Sequence, residues 1–148
     1  MRFDGINKAI AVGTNYTIWK IVIAAETGDQ YGNWIYSPIL SSLPQVGALP
    51  PNQTYRAAQY RRAPGVPGGI EIFIAASAEN HPLYNYWTQL PAAYGQPTAG
   101  SMYFTSNGEA YKITFDNLPY WLIAVRIPTG TTTQPPFDIG TLYICISE

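Results

Sequence analysis

"MYFTSNGEAYKITF", Met102 to Phe115, carries the strongest local folding signal in the chain. Two runs of aromatic and β-branched residues flank Asn107-Gly108. That dipeptide is preferred in a two-residue type I′ turn, because both central positions need positive φ. The local reading is a β-hairpin, and it sets the terms for the rest of the sequence.

Working outward, the same vocabulary recurs. "YTIWKIVIAAE" (Tyr16–Glu26) places Trp19, Ile21 and Ile23 on one face and Ile18, Lys20 and Val22 on the other. Both faces are largely apolar, which suits a central strand. "TGDQYGN" then turns the chain, with Gly28 and Gly32 able to take positive φ. "WIYSPIL" (Trp34–Leu40) reads as a strand that Pro38 pushes to a sheet edge or bulge. "TYRAAQYRR" (Thr54–Arg62) fits a strand or one helical turn, and Thr54 and the flanking prolines favour the strand; it lies between two loops, Ser41–Gln53 and "APGVPGG". "IEIFIAAS" (Ile70–Ser77) alternates Ile70, Ile72 and Ile74 against Glu71 and Phe73. "YWLIAVRIP" (Tyr120–Pro128), the loop "TGTTTQPP" and "FDIGTLYICISE" complete the chain.

The 13 glycines and 13 prolines are spread throughout, which cuts the chain into short pieces and opposes long helices. The expectation is an all-β chain, residues 1–148 as one domain, folded as an antiparallel β-sandwich or jelly roll of about eight strands. Trp19, Phe73, Phe104, Phe115 and Tyr143 alternate within strands and are expected in the core.

Charge is the unusual total. Charged residues make up 11% of the chain and the net charge is −1, against about 25% charged in a typical soluble domain. Little electrostatic repulsion keeps copies apart, which points to a surface covered by other copies or by a partner. Direct nucleic-acid binding is not expected: eight basic residues are balanced by nine acidic ones, and the one basic run is Arg61-Arg62. No run of about 18 apolar residues predicts a membrane span, and the N-terminal residues lack the apolar core of a signal peptide. Either the protein is made in the cytoplasm, or Met1 begins an excised piece of a longer chain.

Catalytic parts are few. Cys145 is the one cysteine and His81 the one histidine. A Cys–His pair is formally possible, but Cys145 alternates with Ile144 and Ile146 in a strand that reads as core, where a thiol is inert. Glu26 and Asp29 share a turn and could hold calcium loosely. An ordinary solvated turn is the simpler reading, since calcium takes six to eight oxygens. No carboxylate spacing marks a glycosidase pair. The reading therefore assigns no catalytic residue, no metal ligand and no cofactor.

The aromatic loops remain. "DQYGNW" (Asp29–Trp34) and "ENHPLYNYW" (Glu79–Trp87) mix carboxylate, amide and aromatic groups. Ring faces stack on sugars while amides and carboxylates bond hydroxyls, and Tyr and Trp also favour protein interfaces. Tyr31, Asn33, Trp34, Asn80, Tyr84, Tyr86, Trp87 and Tyr94 are the candidate ligand- or partner-binding residues.

The Thr/Pro loop followed by "FDIGTLYICISE" resembles the closing strand of jelly-roll virus capsid domains. Low charge, many prolines and Tyr-rich loops are similar to the protruding, receptor-facing domains of small RNA virus capsids. The basic arm of shell proteins has no counterpart in this sequence, so the resemblance implies a protrusion, spike or fibre-tip role. It implies a non-enzymatic protein at the virion or extracellular surface that forms a homo-oligomer and attaches to a glycan or protein receptor. A stand-alone lectin-like module is the alternative.

Overall fold

The structure, a computed structural model, describes residues 1–13, 16–39, 55–77, 101–107, 111–115 and 120–147. Among these residues there is no helix. The strands are β1 (Arg2–Asp4), β2 (Ala11–Val12), β3 (Tyr16–Ala25), β4 (Trp34–Tyr36), β5 (Tyr55–Arg62), β6 (Glu71–Ser77), β7 (Ser101–Thr105), β8 (Tyr111–Phe115), β9 (Tyr120–Arg126) and β10 (Phe137–Ser147).

They form two antiparallel sheets. The larger runs β1-β3-β10-β5-β8, with β2 also paired to β3. β1 and β2 line the same edge of β3, opposite Val22–Ala24 and Thr17–Ile18 respectively. The smaller sheet runs β4-β9-β6-β7. Four pairings are nested: β3 with β10, β4 with β9, β5 with β8, and β6 with β7. The chain is thus a long double strand folded over on itself, and the β10–β5 and β9–β6 ladders then close the two sheets. That order is a jelly roll.

The hairpin expected at Asn107-Gly108 does not form. β7 pairs with β6 in one sheet and β8 with β5 in the other, so the chain crosses between sheets at that point. Asn107 does not have the positive φ that a type I′ turn requires. Its polar groups are used across loops instead: Oδ1 accepts from Gly69 N–H at 2.9 Å and its carbonyl accepts from Arg62 at 3.2 Å. Neighbouring Ser106 Oγ accepts from Ile70 N–H at 3.0 Å and donates to Pro67 O at 2.8 Å. Long-range ladders and these loop contacts outweigh the local turn preference.

The core between the sheets follows from alternation. Thr17, Trp19, Ile21 and Ile23 of β3 point inward, as do Ile72 and Ile74 of β6 and Trp121, Ile123 and Val125 of β9. Each aliphatic side chain fully buried this way contributes about 1.5–3 kcal/mol. β4 is short, ends before Pro38 and is an edge strand, as the proline requires.

β10 departs from simple alternation. Ile139 is an extra residue between Asp138, opposite Ala24, and Gly140, opposite Ile23. The bulge is clamped by Tyr60, whose buried hydroxyl donates to Ile139 O at 2.7 Å. Gly140 has φ +149°, and a Cβ there would lie 2.4 Å from Arg61 O and 2.6 Å from the Tyr60 ring, so only glycine fits. The bulge changes the parity of the strand. Ile139 points inward, and beyond the bulge Leu142 and Ile144 do so.

Two core expectations fail as a result. Tyr143 and Cys145 fall on the outer face of the larger sheet and are half-exposed. Trp19, Phe73 and Phe104 are buried as expected, although Phe73 points outward, away from the inter-sheet core. The side chain of Phe115 lies outside the described residues.

Candidate functional site

Four connections gather at one end of the sandwich: 26–33 after β3, 63–70 after β5, the turn after β7, and 127–136 after β9. This end is cross-braced. Gly32 N–H donates to Ile127 O at 2.7 Å, Tyr31 Oη donates to Thr133 O at 2.6 Å, and Ala63 N–H donates to Ile139 O at 3.0 Å. Gly32 sits at φ +89°, and a Cβ would come within 2.4 Å of Thr129 Oγ1. Glycine therefore lets loop 26–33 lie against loop 127–136.

Tyr31, Asn33 and Trp34 belong to this end. The Tyr31 ring packs against the core and its hydroxyl is engaged, so it braces one loop against another. Asn33 is exposed. Trp34 is half-buried, with its ring edge-on to Phe73 at a centroid distance of 6.3 Å. The Arg126 guanidinium lies over the same ring, 4.6 Å from its centroid. Arg126 also pairs with Glu71, its register partner on β6, with Nε to Oε2 at 2.5 Å.

Two recesses open here. One, of about 320 Å³, is lined by Gly32, Gly69, Glu71, Arg126, Pro128 and Thr129. The other, an open groove of about 660 Å³, runs along loop 63–68 to Arg62, Ser106 and Asn107. Both are lined mainly by polar groups and backbone, and the first adjoins the Trp34–Arg126 stack through Arg126. An ion pair beside an aromatic ring can offer a donor, an acceptor and a stacking face to a hydroxylated ligand.

The turn at Glu26–Asp29 is tied together by hydrogen bonds and ion pairs. Asp29 Oδ2 accepts from Glu26 N–H at 2.8 Å, and the Met1 ammonium contacts Asp29 Oδ1 at 2.6 Å and Glu26 Oε1 at 3.1 Å. Burial lowers the ammonium's proton affinity, but hydrogen bonds and charge from Asp29 and Glu26 outweigh it and raise the pKa above 8.0. Among the described residues no three His, Cys, Asp or Glu side chains cluster as a metal site. Among them, too, no helix is long and apolar enough to cross a membrane.

Asn80, Tyr84, Tyr86, Trp87, Tyr94 and His81 lie outside the described residues. The strand ends that flank them are informative. β6 ends at Ser77, which pairs with Tyr120, whereas Trp34 pairs with Arg126. Six residues of β9 separate those levels, about 20 Å. The end of β6 at Ser77 therefore lies at the opposite end of the sandwich from Tyr31, Asn33 and Trp34.

Sequence reading did not single out Glu71, Arg126 or Thr129. The signal for the first two was present, since each is the lone charge in an otherwise apolar strand. No protein-family model, curated protein or solved structure matches the chain.

Proposed function

We propose that the chain is a non-enzymatic structural domain that self-associates at a virion or other extracellular surface, as a capsid, protrusion or spike domain does. The observation that carries this reading is the nested pairing β3–β10, β4–β9, β5–β8 and β6–β7. Jelly rolls of this order serve in viral capsids, and also in lectins and cupins. Fold alone does not select among these. The 11% charged content does discriminate, because it favours association with other copies. Of the two recesses described, one has a single carboxylate, Glu71, held by Arg126, and the other has none. Neither presents two opposed carboxylates for hydrolysis. The partners of this reading are copies of the chain and a glycan or protein receptor, without nucleic acid or a membrane span.

Light scattering coupled to size exclusion tests it, with negative-stain microscopy of concentrated protein. Oligomers of defined size are expected. A monomer at every concentration up to about 1 mM overturns the reading, since that ceiling corresponds to under about 4 kcal/mol of association.

A lectin-like module is the second reading, favoured by the Trp34 ring stacked on Arg126, which also lines the 320 Å³ recess. It expects a defined glycan-array signal that is lost in Trp34→Ala. A blank array with folded protein removes it.

A further inference from the structure

We infer that the recess of about 320 Å³ over Glu71 and Arg126 is a binding site for an uncharged saccharide, with that ion pair reading two of its hydroxyls. The inference names a ligand class for the lectin-like reading and rests on it.

Register sets a row across the outer face of the smaller sheet at its loop end. Trp34 on β4 lies opposite Arg126 on β9, Arg126 opposite Glu71 on β6, and Glu71 opposite Thr105 on β7. Glu71 is two residues before the outward Phe73, so the row shares that face. Adjacent strands stand about 4.8 Å apart, which places an indole, a guanidinium, a carboxylate and a hydroxyl side by side. The two central groups are held in place. Arg126 Cζ lies 4.6 Å from the Trp34 ring centroid, and Arg126 Nε and Nη2 both donate to Glu71 Oε2. The guanidinium is thus fixed from one face and one edge. Ligand access is retained, since 31% of the Arg126 side chain and 20% of the Glu71 side chain are exposed. A guanidinium has more N–H donors, and a carboxylate more lone-pair sites, than the bonds between them use.

The remaining lining is Gly32, Gly69, Pro128 and Thr129. Gly32 and Gly69 have φ of +89° and +82°, and a Cβ on Gly69 would press on the Pro128 ring. Thr129 is exposed, and its hydroxyl sits where a Cβ on Gly32 would intrude. A side chain at either glycine would crowd the recess.

Lining and charge both select the ligand class. Pro128 is the one apolar ring in the lining, so a ligand gains mainly through hydrogen bonds, which suits a molecule covered in hydroxyls. Among the described residues that line the recess, Glu71 and Arg126 are the only charges, and they neutralise each other. An anionic ligand would have to draw Arg126 away from Glu71, and a cationic one the reverse. Either exchange leaves a part-buried charge without its partner. Adjacent hydroxyls of a sugar ring avoid that loss: one donates to Glu71 and its neighbour accepts from Arg126.

A glycan array probed with the full chain tests this, followed by calorimetric titration of the hits at low and high salt. Uncharged glycans are expected to give the signal, with affinity constant within about twofold between about 0.05 and about 0.5 M salt. Thr129→Val is expected to weaken binding about three- to tenfold, and Glu71→Gln about tenfold or more. Thr129 lies on an exposed turn, so its variant keeps the test decisive should Glu71→Gln fail to fold. Three results overturn this inference and leave the lectin-like reading standing: signal confined to sialylated or sulfated glycans, affinity that falls steeply with salt, or uncharged hits that every folded variant binds like wild type. A blank array with folded protein removes both.

Discussion

On the outer face of the smaller sheet, Leu122 and Ala124 have no exposed surface and Phe73 is 2% exposed. On the outer face of the larger sheet, Ile18, Tyr143 and Cys145 remain half-exposed. Both faces come from strands whose two sides are apolar. The difference lies in what packs over them. Trp34, Tyr36, Ile39 and Tyr120 lie against the Phe73 cluster, and the Glu71–Arg126 pair lies beyond it at the near end of the same face. β9 thus buries both its faces. The larger sheet has no comparable outer layer among the described residues. Among the described residues, the chain itself finishes the outward apolar positions of the smaller sheet, and it leaves Ile18, Tyr143 and Cys145 of the larger sheet half-exposed.

Charge insertion tests that contrast most severely. Leu122→Asp is expected to cost about 3–5 kcal/mol, or to prevent folding, because an unpaired carboxylate would be buried beside Phe73 and Ala124. Ile18→Asp on the open face is expected to stay within about 1 kcal/mol of wild type at dilute, monomeric concentrations. Urea denaturation of both variants checks this, and equal losses would erase the distinction between the faces. The next largest effect concerns the bulge that turns Tyr143 and Cys145 outward. Gly140→Ala meets the Arg61 carbonyl and the Tyr60 ring and is expected to cost about 2–4 kcal/mol. A neutral outcome would mean that the bulge does not set which residues of β10 face out. Tyr60→Phe, which removes only the clamp on Ile139, is expected to cost about 1–2 kcal/mol.

Residues whose fate depends on their immediate neighbours were legible in the sequence. The alternation of Ile70, Ile72 and Ile74, the alternation of Trp19, Ile21 and Ile23, and the edge position enforced by Pro38 are local consequences of pleat and ring geometry. Gly28 and Gly32 take positive φ in the turn read for them. What escaped were consequences of partners distant in the chain. Asn107-Gly108 has a strong local preference, but β7 and β8 each find a better ladder in a different sheet. The parity of β10 depends on a bulge that Tyr60 holds from another strand, and nothing in "FDIGTLYICISE" marks the extra residue except its glycine. The pairing of Glu71 with Arg126 needs the β6–β9 register. Of the candidate binding residues, Tyr31, Asn33 and Trp34 come together at one end of the sandwich, where Tyr31 proves to be a brace.

The smallest expected effect probes how dry the sealed face is. Burial raises the Tyr36 phenol pKa above its ordinary value of 10.0, because the phenolate loses solvation there. The folded protein then holds this proton more tightly than the unfolded chain does. Its contribution is fully present below the unfolded value and is lost as pH rises through the folded one. Wild-type stability is therefore expected to decline above pH 10 more steeply than that of Tyr36→Phe, which has no phenol to ionise at this position. Urea midpoints across that range, with the m-value held constant, measure the difference. Parallel curves for the two proteins would mean that water reaches Tyr36 as freely as it reaches the open sheet, and the contrast between the two outer faces would then stop short of β4.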